Sequence, residues 1–570
     1  MPIPKLGGSL GGKRAAHLLR RATFGPTVQQ IKDFSLLTPR QSIASLFPAS
    51  LPNAPIPIDP KTGTEWVTKG ATDANSKGGE LDQYLLGWIV GQTLNSSLAY
   101  SAREKVVFFL HSHFTTIFSK VESNRAIYFQ NQLFRLYAFD KTGTTKINFK
   151  ELTKKLCIDN AMLRVLDGNL NEKGNPNENF ARELLELYSI GRGLEGSLPA
   201  TTQQGDYFYY KELDVQQSAR VLSGWTDDED FLTIDVDTKL PRGKVKGSVT
   251  SASSHDDDDA KRPKTFSEHF QSYTIKPISP TATEASALDE ISQWVDQIYL
   301  QHETAKNICR KLYRFFVYHE ITDTIDTTII ETLATDFAAG GFKLQPIIEN
   351  ILCSQHFYDN GPGLTDDNFG GIIKSPLDLA VGVLRFFGFQ MPDMSSAATD
   401  FYAKAGFVVD AINNMGMSFY EPPDVSGYDA YHQWPIYNRS WITPNNLANR
   451  YKFIEDLINA NLAGIINIDV YDWLKTKSTI TSGADAKSLI KDLILYLFPM
   501  PDNLSYDDAT DDTADLTFKR MNYFKLQLLQ TFTETYWTNT LWASGNATEL
   551  RLQLNGLFNA MLQSPEYQLF

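Results

Sequence analysis

Apolar residues recur at helical spacing along nearly the whole chain of 570 residues. An amphipathic helix repeats its apolar residues every three or four positions, whereas a half-buried strand alternates apolar and polar residues. Alternation is never sustained here, and the clearest helical segments are 81–94, 124–139, 283–300, 304–318, 376–387 and 548–562. The sequence therefore predicts a predominantly α-helical chain, a large multi-helix globular fold with long ordered loops and little sheet.

The length exceeds what one ordinary hydrophobic core holds. The stretch 227–274 interrupts the helical pattern with acidic runs such as HDDDD. Like charges in a run are typical of a solvated or mobile segment. We therefore predict a helical part over 1–226, an acidic, mobile insertion or lid over 227–274, and a second helical part over 275–570 that contains a loop rich in proline and aromatic residues at 421–446.

The net charge of −14 at pH 7 argues against nucleic acid as a partner, because phosphates would be repelled over most of the surface. No run approaches the roughly 18 apolar residues of a membrane span. The N-terminal sequence lacks the apolar core of a signal peptide. We therefore expect no transmembrane segment and a cytoplasmic location.

Three scattered cysteines in apolar helical contexts favour buried free thiols: Cys157, Cys309 and Cys353.

A loop rich in Asp, Asn and Gly runs directly into a short predicted helix within 166–193. Asn179, Glu183 and Glu186 fall at i, i+4 and i+7, so they form a polar stripe beside the apolar face of that helix. Paired carboxylates on one stripe suit acid–base catalysis or metal ligation. Glu183 and Glu186, with the adjacent Arg182, are therefore candidate catalytic residues.

Two histidines lie near the end of another predicted helix, in the stretch FFLHSHFTT. Residues two positions apart point about 200° away from each other on a helix. His111 and His113 therefore cannot both face one site while the helix continues. We take His113 as the candidate catalytic histidine.

The loop before the Glu183 helix also resembles a calcium-binding loop in its spacing. Its oxygen-bearing residues occupy positions 1, 3, 5, 9 and 12 of an EF-hand-like register, but Gly174 stands at position 8 where that loop requires glycine at position 6. The alternative is an Asn-rich loop that satisfies its own backbone. A His-Asp run downstream is a second candidate, with solvated charges as its alternative. The sequence leaves the cofactor unknown; the candidate is a divalent cation, calcium or a transition metal, and its candidate ligands are Asp167, Asn169, Asn171, Glu178, His255 and Asp256.

Three aromatic residues follow or interrupt helices at breaks that are dense in motifs: Trp225, Tyr428 and Trp441. The last two belong to the 421–446 loop, and long ordered loops in compact domains usually bind something or cover a cleft. We predict that all three are binding residues and that they lie near 166–193.

Arginines supply the remaining binding candidates. A buried ionised carboxylate needs a partner, since an unpaired one costs several kcal/mol or becomes neutral. We therefore expect Arg182, Arg20 or Arg21 to pair with Glu183 or Glu186.

Several stretches together resemble a bacterial family of unknown function, DUF1800. They occur in order over most of the chain: HLLRRATFGPT, FFLHSHFTT, DNAMLRVLDGNLNEKGNPNENFARELLELYSIG, DVQQSARVLSGWT, SPLDLAVGVLRFFG and EPPDVSGY. The resemblance implies a large, mostly helical protein and a periplasmic or secreted location, because many members are exported. It also implies a partner of the DUF1501 type, an uncharacterised family often encoded beside it.

This sequence departs from the family pattern at two aromatic positions. Tyr188 stands where the family often has His after ELLEL, and Tyr428 stands where it often has Trp after the PPxVxG turn. Without that histidine, Glu183 and Glu186 alone do not make the Glu-x-x-His set of a di-metal bundle.

Two classes of function fit these patterns. A metal-assisted hydrolase would use Glu183 and Glu186 as ligands or as an acid–base pair, helped by nearby histidines. A binding or assembly protein would use the motifs to hold its structure and the 421–446 loop to present aromatic side chains to a glycan or a protein partner. The sequence predicts no GxSxG elbow, the strand-to-helix turn that would indicate a serine hydrolase. We favour the binding interpretation, and whether the protein is an enzyme stays open.

Overall fold

Helices account for most of the computed structural model, which describes residues 2–68, 78–198, 201, 204–359, 368–459, 465–507 and 516–570. Within those ranges the sheets are two antiparallel hairpins. Strand β1 (Ile58–Asp59) pairs with β2 (Thr64–Glu65), and β3 (Trp225–Thr226) pairs with β4 (Lys244–Val245). The predicted predominantly α-helical fold with little sheet is confirmed.

Side-chain caps begin many helices of the first part of the chain. Thr27 and Thr38 form capping boxes with glutamines three residues later, and Asp159 accepts a hydrogen bond from the Met162 N–H. These helices are α1 (Gly11–Ala22), α2 (Val28–Ser35), α3 (Pro39–Leu46), α4 (Gly78–Thr93), α5 (Leu98–His113), α6 (Phe118–Val121), α7 (Asn124–Ala138), α8 (Phe149–Leu156), α9 (Asn160–Val165), α10 (Asn179–Glu186) and α11 (Glu212–Val221).

The later helices often begin with a hydroxyl cap followed by proline, as at Ser375-Pro376 and Thr443-Pro444. They are α12 (Glu284–Leu300), α13 (His302–Phe316), α14 (Asp323–Ile325), α15 (Glu331–Ala339), α16 (Leu344–Leu352), α17 (Pro376–Phe386), α18 (Met394–Asn414), α19 (Asp429–His432), α20 (Pro444–Ile458), α21 (Val470–Asp472), α22 (Ala486–Leu497), α23 (Phe518–Leu529), α24 (Glu534–Tyr536) and α25 (Ala547–Leu562).

One cluster of buried apolar side chains extends from Ile3 to Tyr567. Helix α1 packs against α22, and α5 packs against α13, so both ends of the chain contribute to this core. Removal of apolar surface from water, at about 25 cal/mol per Å², is the main stabilising term. The proposed division at 226 and 274 stays an interpretation of composition, with helices from both sides sharing the core.

Two further expectations concern membranes and cysteines. Within the described ranges, no helix combines the length and the apolar character that crossing a membrane requires. The cysteines are free thiols, with Cys157 and Cys309 buried and Cys353 half-buried. The predicted free thiols are confirmed.

The acidic stretch 227–274 contributes both apolar and charged groups to the interior. The Phe266 ring stacks on Trp294 of α12 at 3.6 Å between ring centroids. Lys264 has a fully buried side chain whose ammonium lies 2.8 Å from Glu290 and 3.0 Å from Asp259. These contacts attach the end of the segment to α12, and its mobility stays a prediction.

The Lys264 ion pair provides a direct test of that attachment. We expect Lys264→Met to lower the free energy of unfolding by about 3–5 kcal/mol, because it leaves the buried carboxylates of Glu290 and Asp259 without their cation. Lys261→Met, at an exposed position of the same segment, is the matched control and changes stability by less than about 0.5 kcal/mol. Urea unfolding measures both. Equal stability of the two variants would show that this segment opens independently of the core.

Candidate functional site

The loop that precedes α10 is held by its own amide side chains. The Asn171 side chain is buried, donates to the carbonyl of Ala219 and accepts from the N–H of Asn177. The Asn177 oxygen accepts from the N–H of Asn179, at the start of α10. Amide side chains that bond nearby backbone explain the asparagine content of this loop without a ligand.

The candidate metal ligands mostly have other partners. Glu178 pairs with Arg182, Asp256 forms a bidentate pair with Arg220, and His255 donates to the Ser223 carbonyl. Asp167 and Asn169 make weak side-chain contacts, to Asn179 at 3.4 Å and to Asp227 at 3.5 Å respectively. Within the described part of the chain, no group of three or more His, Cys, Asp or Glu side chains is placed to hold a metal ion.

The carboxylates of α10 pair differently from our expectation. Arg182 forms an ion pair with Glu212 at 2.6 Å and a longer one with Glu178, and Glu186 pairs with Arg192 at 2.6 Å. Arg182 and Glu186 stand at i and i+4 on α10, a spacing that favours an ion pair. Arg182 pairs with Glu212 on α11 instead.

Arg20 and Arg21 do not reach α10 either, so that expected pairing is wrong. Both lie on α1 and are buried where it packs against α22 and the segment after it. Arg20 donates to the carbonyls of Phe498 and Tyr496, and Arg21 donates to the carbonyl of Asn368.

Glu183 is the exception among these charged groups. Its half-buried carboxyl makes no hydrogen bond or ion pair with any residue in the described ranges. Burial raises its pKa to about 7, and the negative charges of Glu186 and Asp424 add to the rise. A carboxyl that is protonated near neutral pH can donate a proton, so Glu183 has the ionisation behaviour of a general acid.

Asp424 belongs to a tight turn of the 421–446 loop that the structure places against α5. Gly427 has φ of 101°, and a Cβ there would lie 2.9 Å from the Thr115 hydroxyl, so only glycine fits this approach. The turn also holds Ser426, whose Oγ lies 3.3 Å from His432 Nε2. Asp424, at the start of this turn, is near enough to α10 for its charge to act on the Glu183 carboxyl.

Two basic side chains, His113 and Lys311, line a small pocket beside this turn. The His113 Nε2–H donates to the Tyr188 carbonyl at 3.1 Å, and burial lowers its pKa well below the ordinary value. Lys311 on α13 donates to the Leu187 carbonyl at 2.6 Å, and burial lowers its pKa to about 8. His113, Lys311, Ser426 and His432 line one small pocket. Perturbed pKa values gathered in this way are typical of functional sites.

The three aromatic candidates are buried rather than presented to solvent. Trp225 lies in β3, beside the 3₁₀ turn Gly168–Leu170. Tyr428 and Trp441 have ring centroids 6.1 Å apart, and the Tyr428 hydroxyl donates to the Ser418 carbonyl. Tyr428 and Trp441 pack inside the 421–446 loop and Trp225 is buried in β3, so none of the three rings offers a face to a ligand.

Trp434 is the exposed aromatic residue of that loop, with 53% of its surface accessible. It borders a cleft of about 410 Å³, hereafter the polar cleft. Its lining includes charged and hydroxyl side chains from three parts of the chain: Glu195, Ser197, Arg314, His319, Asp323, Tyr437 and Arg439.

Sequence reasoning missed Lys311, Asp424, Ser426, His432 and Trp434. The last four lie inside the predicted functional loop, so the loop was identified and its residues were not. Tyr428 and Trp441 matched the apolar pattern of residues that pack, and Trp434 precedes a proline in a polar run. The polar context of Trp434 was the signal by which the sequence could have identified it as exposed.

These features define a large α-helical protein with a polar cleft and, on α10, a half-buried carboxyl whose pKa is raised. The chain belongs to the family described as Protein of unknown function (DUF1800), which matches residues 17–569. The resemblance read from the motifs is thus confirmed. No curated protein and no solved structure matches the chain.

The raised pKa of Glu183 makes stability depend on pH. Below the usual carboxyl pKa of 4.5 the group is protonated in both states, and between 4.5 and about 7 only the folded state keeps the proton. Stability therefore falls as pH rises through this window. The Glu183→Gln variant keeps a neutral side chain at every pH. Relative to wild type, it should gain about 1–2 kcal/mol between pH 4.5 and pH 8, allowing for solvent screening at this half-exposed position.

Urea unfolding across that pH range measures the gain. Glu229→Gln is the control, since the side chain of Glu229 is 79% exposed. If the difference in stability between wild type and Glu183→Gln is the same at about pH 4.5 and about pH 8, the Glu183 carboxyl lies in solvent.

Proposed function

We propose that the protein binds a glycan in the polar cleft. The observation that carries the proposal is the exposed ring of Trp434 at the edge of a cleft lined mainly by hydrogen-bonding side chains. A sugar ring has an apolar C–H face that packs on an aromatic ring, and hydroxyls that need donors and acceptors around them. The cleft offers both surfaces.

The sides of the cleft are held in place by contacts within the protein. Arg314 of α13 forms an ion pair with Glu195, and Ser197 donates to Asp323. A Cβ at Gly196 would lie 3.7 Å from the Trp434 ring, so the turn at 194–197 supports that ring. A cleft held in this way loses little conformational freedom on binding, which favours affinity.

Trp434→Ala tests the glycan proposal. We expect wild-type protein to bind at least one class of oligosaccharide on a glycan array, and the variant to bind it at least about tenfold more weakly, which corresponds to about 1.4 kcal/mol. Calorimetry with the bound oligosaccharide gives the two Kd values. Tyr523→Ala removes a 42% exposed aromatic ring outside the cleft and should leave Kd unchanged. Equal affinity of wild type and Trp434→Ala would contradict the proposal.

A second candidate function, hydrolysis, is favoured by the unpaired carboxyl of Glu183. Glu183 in its protonated form would act as general acid, and a second carboxyl group nearby, such as that of Asp424, would act as base. Hydrolysis should then decline as pH rises through about 7, and Glu183→Gln should abolish it. Release of reducing ends from the array ligand measures this rate. Elemental analysis of protein purified without chelator tests whether a metal assists.

The remaining expectations concern partner and compartment. A partner of the DUF1501 type stays a proposal that rests on the family resemblance, and co-purification of the two proteins tests it. A glycan ligand suits the exported location that the resemblance implies better than the cytoplasmic one expected from the N-terminal sequence.

A further inference from the structure

A small cavity lies where α1 and α17 meet the end of α22 and the residues 567–570. Its volume is about 30 Å³, and its polar lining consists of Arg20, Lys374, Asp378 and the tyrosines 496 and 567. One water needs about 10–15 Å³ of such space, so the cavity has room for a water or a monatomic ion.

Among the described residues, the surroundings of this cavity carry an excess of buried positive charge. The five cationic side chains Arg20, Arg21, Lys105, Lys374 and Arg450 are each at most 6% exposed. Among the described residues only Lys105 forms an ion pair, and its partner is Asp378. The charge of Asp378 also acts on three of the others, Arg21, Lys374 and Arg450, and Asp359 acts on Arg21.

Backbone carbonyls satisfy part of the donor capacity of these cations. Arg450 donates to the Lys374 carbonyl and to Gln568, and Lys374 donates to the Tyr567 carbonyl at 2.6 Å. Carbonyl oxygens satisfy hydrogen bonds but supply no full negative charge. Buried charges without counter-charge cost several kcal/mol each even after relaxation.

Three of the cations have hydrogen-bond donors left over. The Lys374 ammonium has three N–H groups and makes one hydrogen bond within the described part of the chain. Arg21 has Nε and Nη1 buried without an acceptor, and Arg450 has Nε in the same condition. Lys374 lines the cavity, so its free N–H groups are available to an ion placed there.

We propose that this cavity binds a monatomic anion of the halide class, held by Lys374 and Arg20. The anion adds negative charge beside the Arg20 guanidinium and accepts hydrogen bonds from the Lys374 N–H groups that the Tyr567 carbonyl leaves free. The competing account is a neutral Lys374, since burial lowers its pKa well below the ordinary value and a water would then suffice. The two accounts differ in what the cavity contains and in whether stability depends on halide.

Bromide is the probe, because its anomalous scattering locates it. We expect crystals of the wild-type protein soaked in sodium bromide to show an anomalous peak between the Lys374 ammonium and the Arg20 guanidinium. In solution, Tm should rise by about 1–3 °C between 1 and 100 mM bromide, with ionic strength held constant by gluconate, which is too large for the cavity.

Lys374→Met should abolish the bromide-dependent part of the Tm shift. Lys452→Met, whose side chain is 69% exposed, should retain it. If Lys374→Met fails to fold, the anomalous map of the wild-type protein still decides between a bound halide and a bound water. A cavity without an anomalous peak, or a Tm that responds equally to bromide and gluconate, would overturn the proposal in favour of a neutral Lys374 and a bound water.

Discussion

The carboxylate of Asp378 is the charge on which the central packing of this protein depends. It sits in the first turn of α17, where Ser375 donates to it, and it pairs with Lys105 of α5. Arg21 of α1 and Arg450 of α20 also interact with its charge. Four helices from distant parts of the sequence therefore meet around one buried anion. A buried carboxylate among cations is stable only while those helices keep their places, because displacement of any one leaves a charge without compensation.

This arrangement explains why several family motifs carry charge without forming the functional site. Arg20 and Arg21 lie in HLLRRATFGPT and Asp378 lies in SPLDLAVG, and all three are buried together. The two arginines suggested ion-pair partners for Glu183 or Glu186. Instead, all three residues join α1 to α17 and α22. Motif density alone therefore did not separate structural from functional charges in this chain.

The sequence was sufficient for what depends on local spacing. Apolar periodicity predicted the helices, Asx and hydroxyl residues marked their starts, and the asparagine loop could be recognised as one that bonds its own backbone. Partners across the fold could not be predicted, because the distance from Arg182 to Glu212 or from Asp424 to Glu183 is set by how helices pack. The same limit explains the aromatic residues of the 421–446 loop. Their types indicated a functional loop, whereas only the packing shows that Tyr428 and Trp441 face inward and Trp434 faces the cleft.

Glu183 is best understood by comparison with the charges around it. Glu178, Glu186 and Glu212 all have arginine partners, so their negative charge is compensated and fixed. Glu183 lies on the same helix as Glu186, yet it forms no ion pair within the described residues. Burial is the main cause of its raised pKa; the charges of Glu186 and Asp424 add to the rise, and those of Arg182 and Arg192 oppose it. A carboxyl placed this way costs stability once it ionises, and packing could have avoided that cost with a neutral residue. A half-exposed carboxyl that is unfavourable for folding once it ionises is best explained by what it does for a ligand.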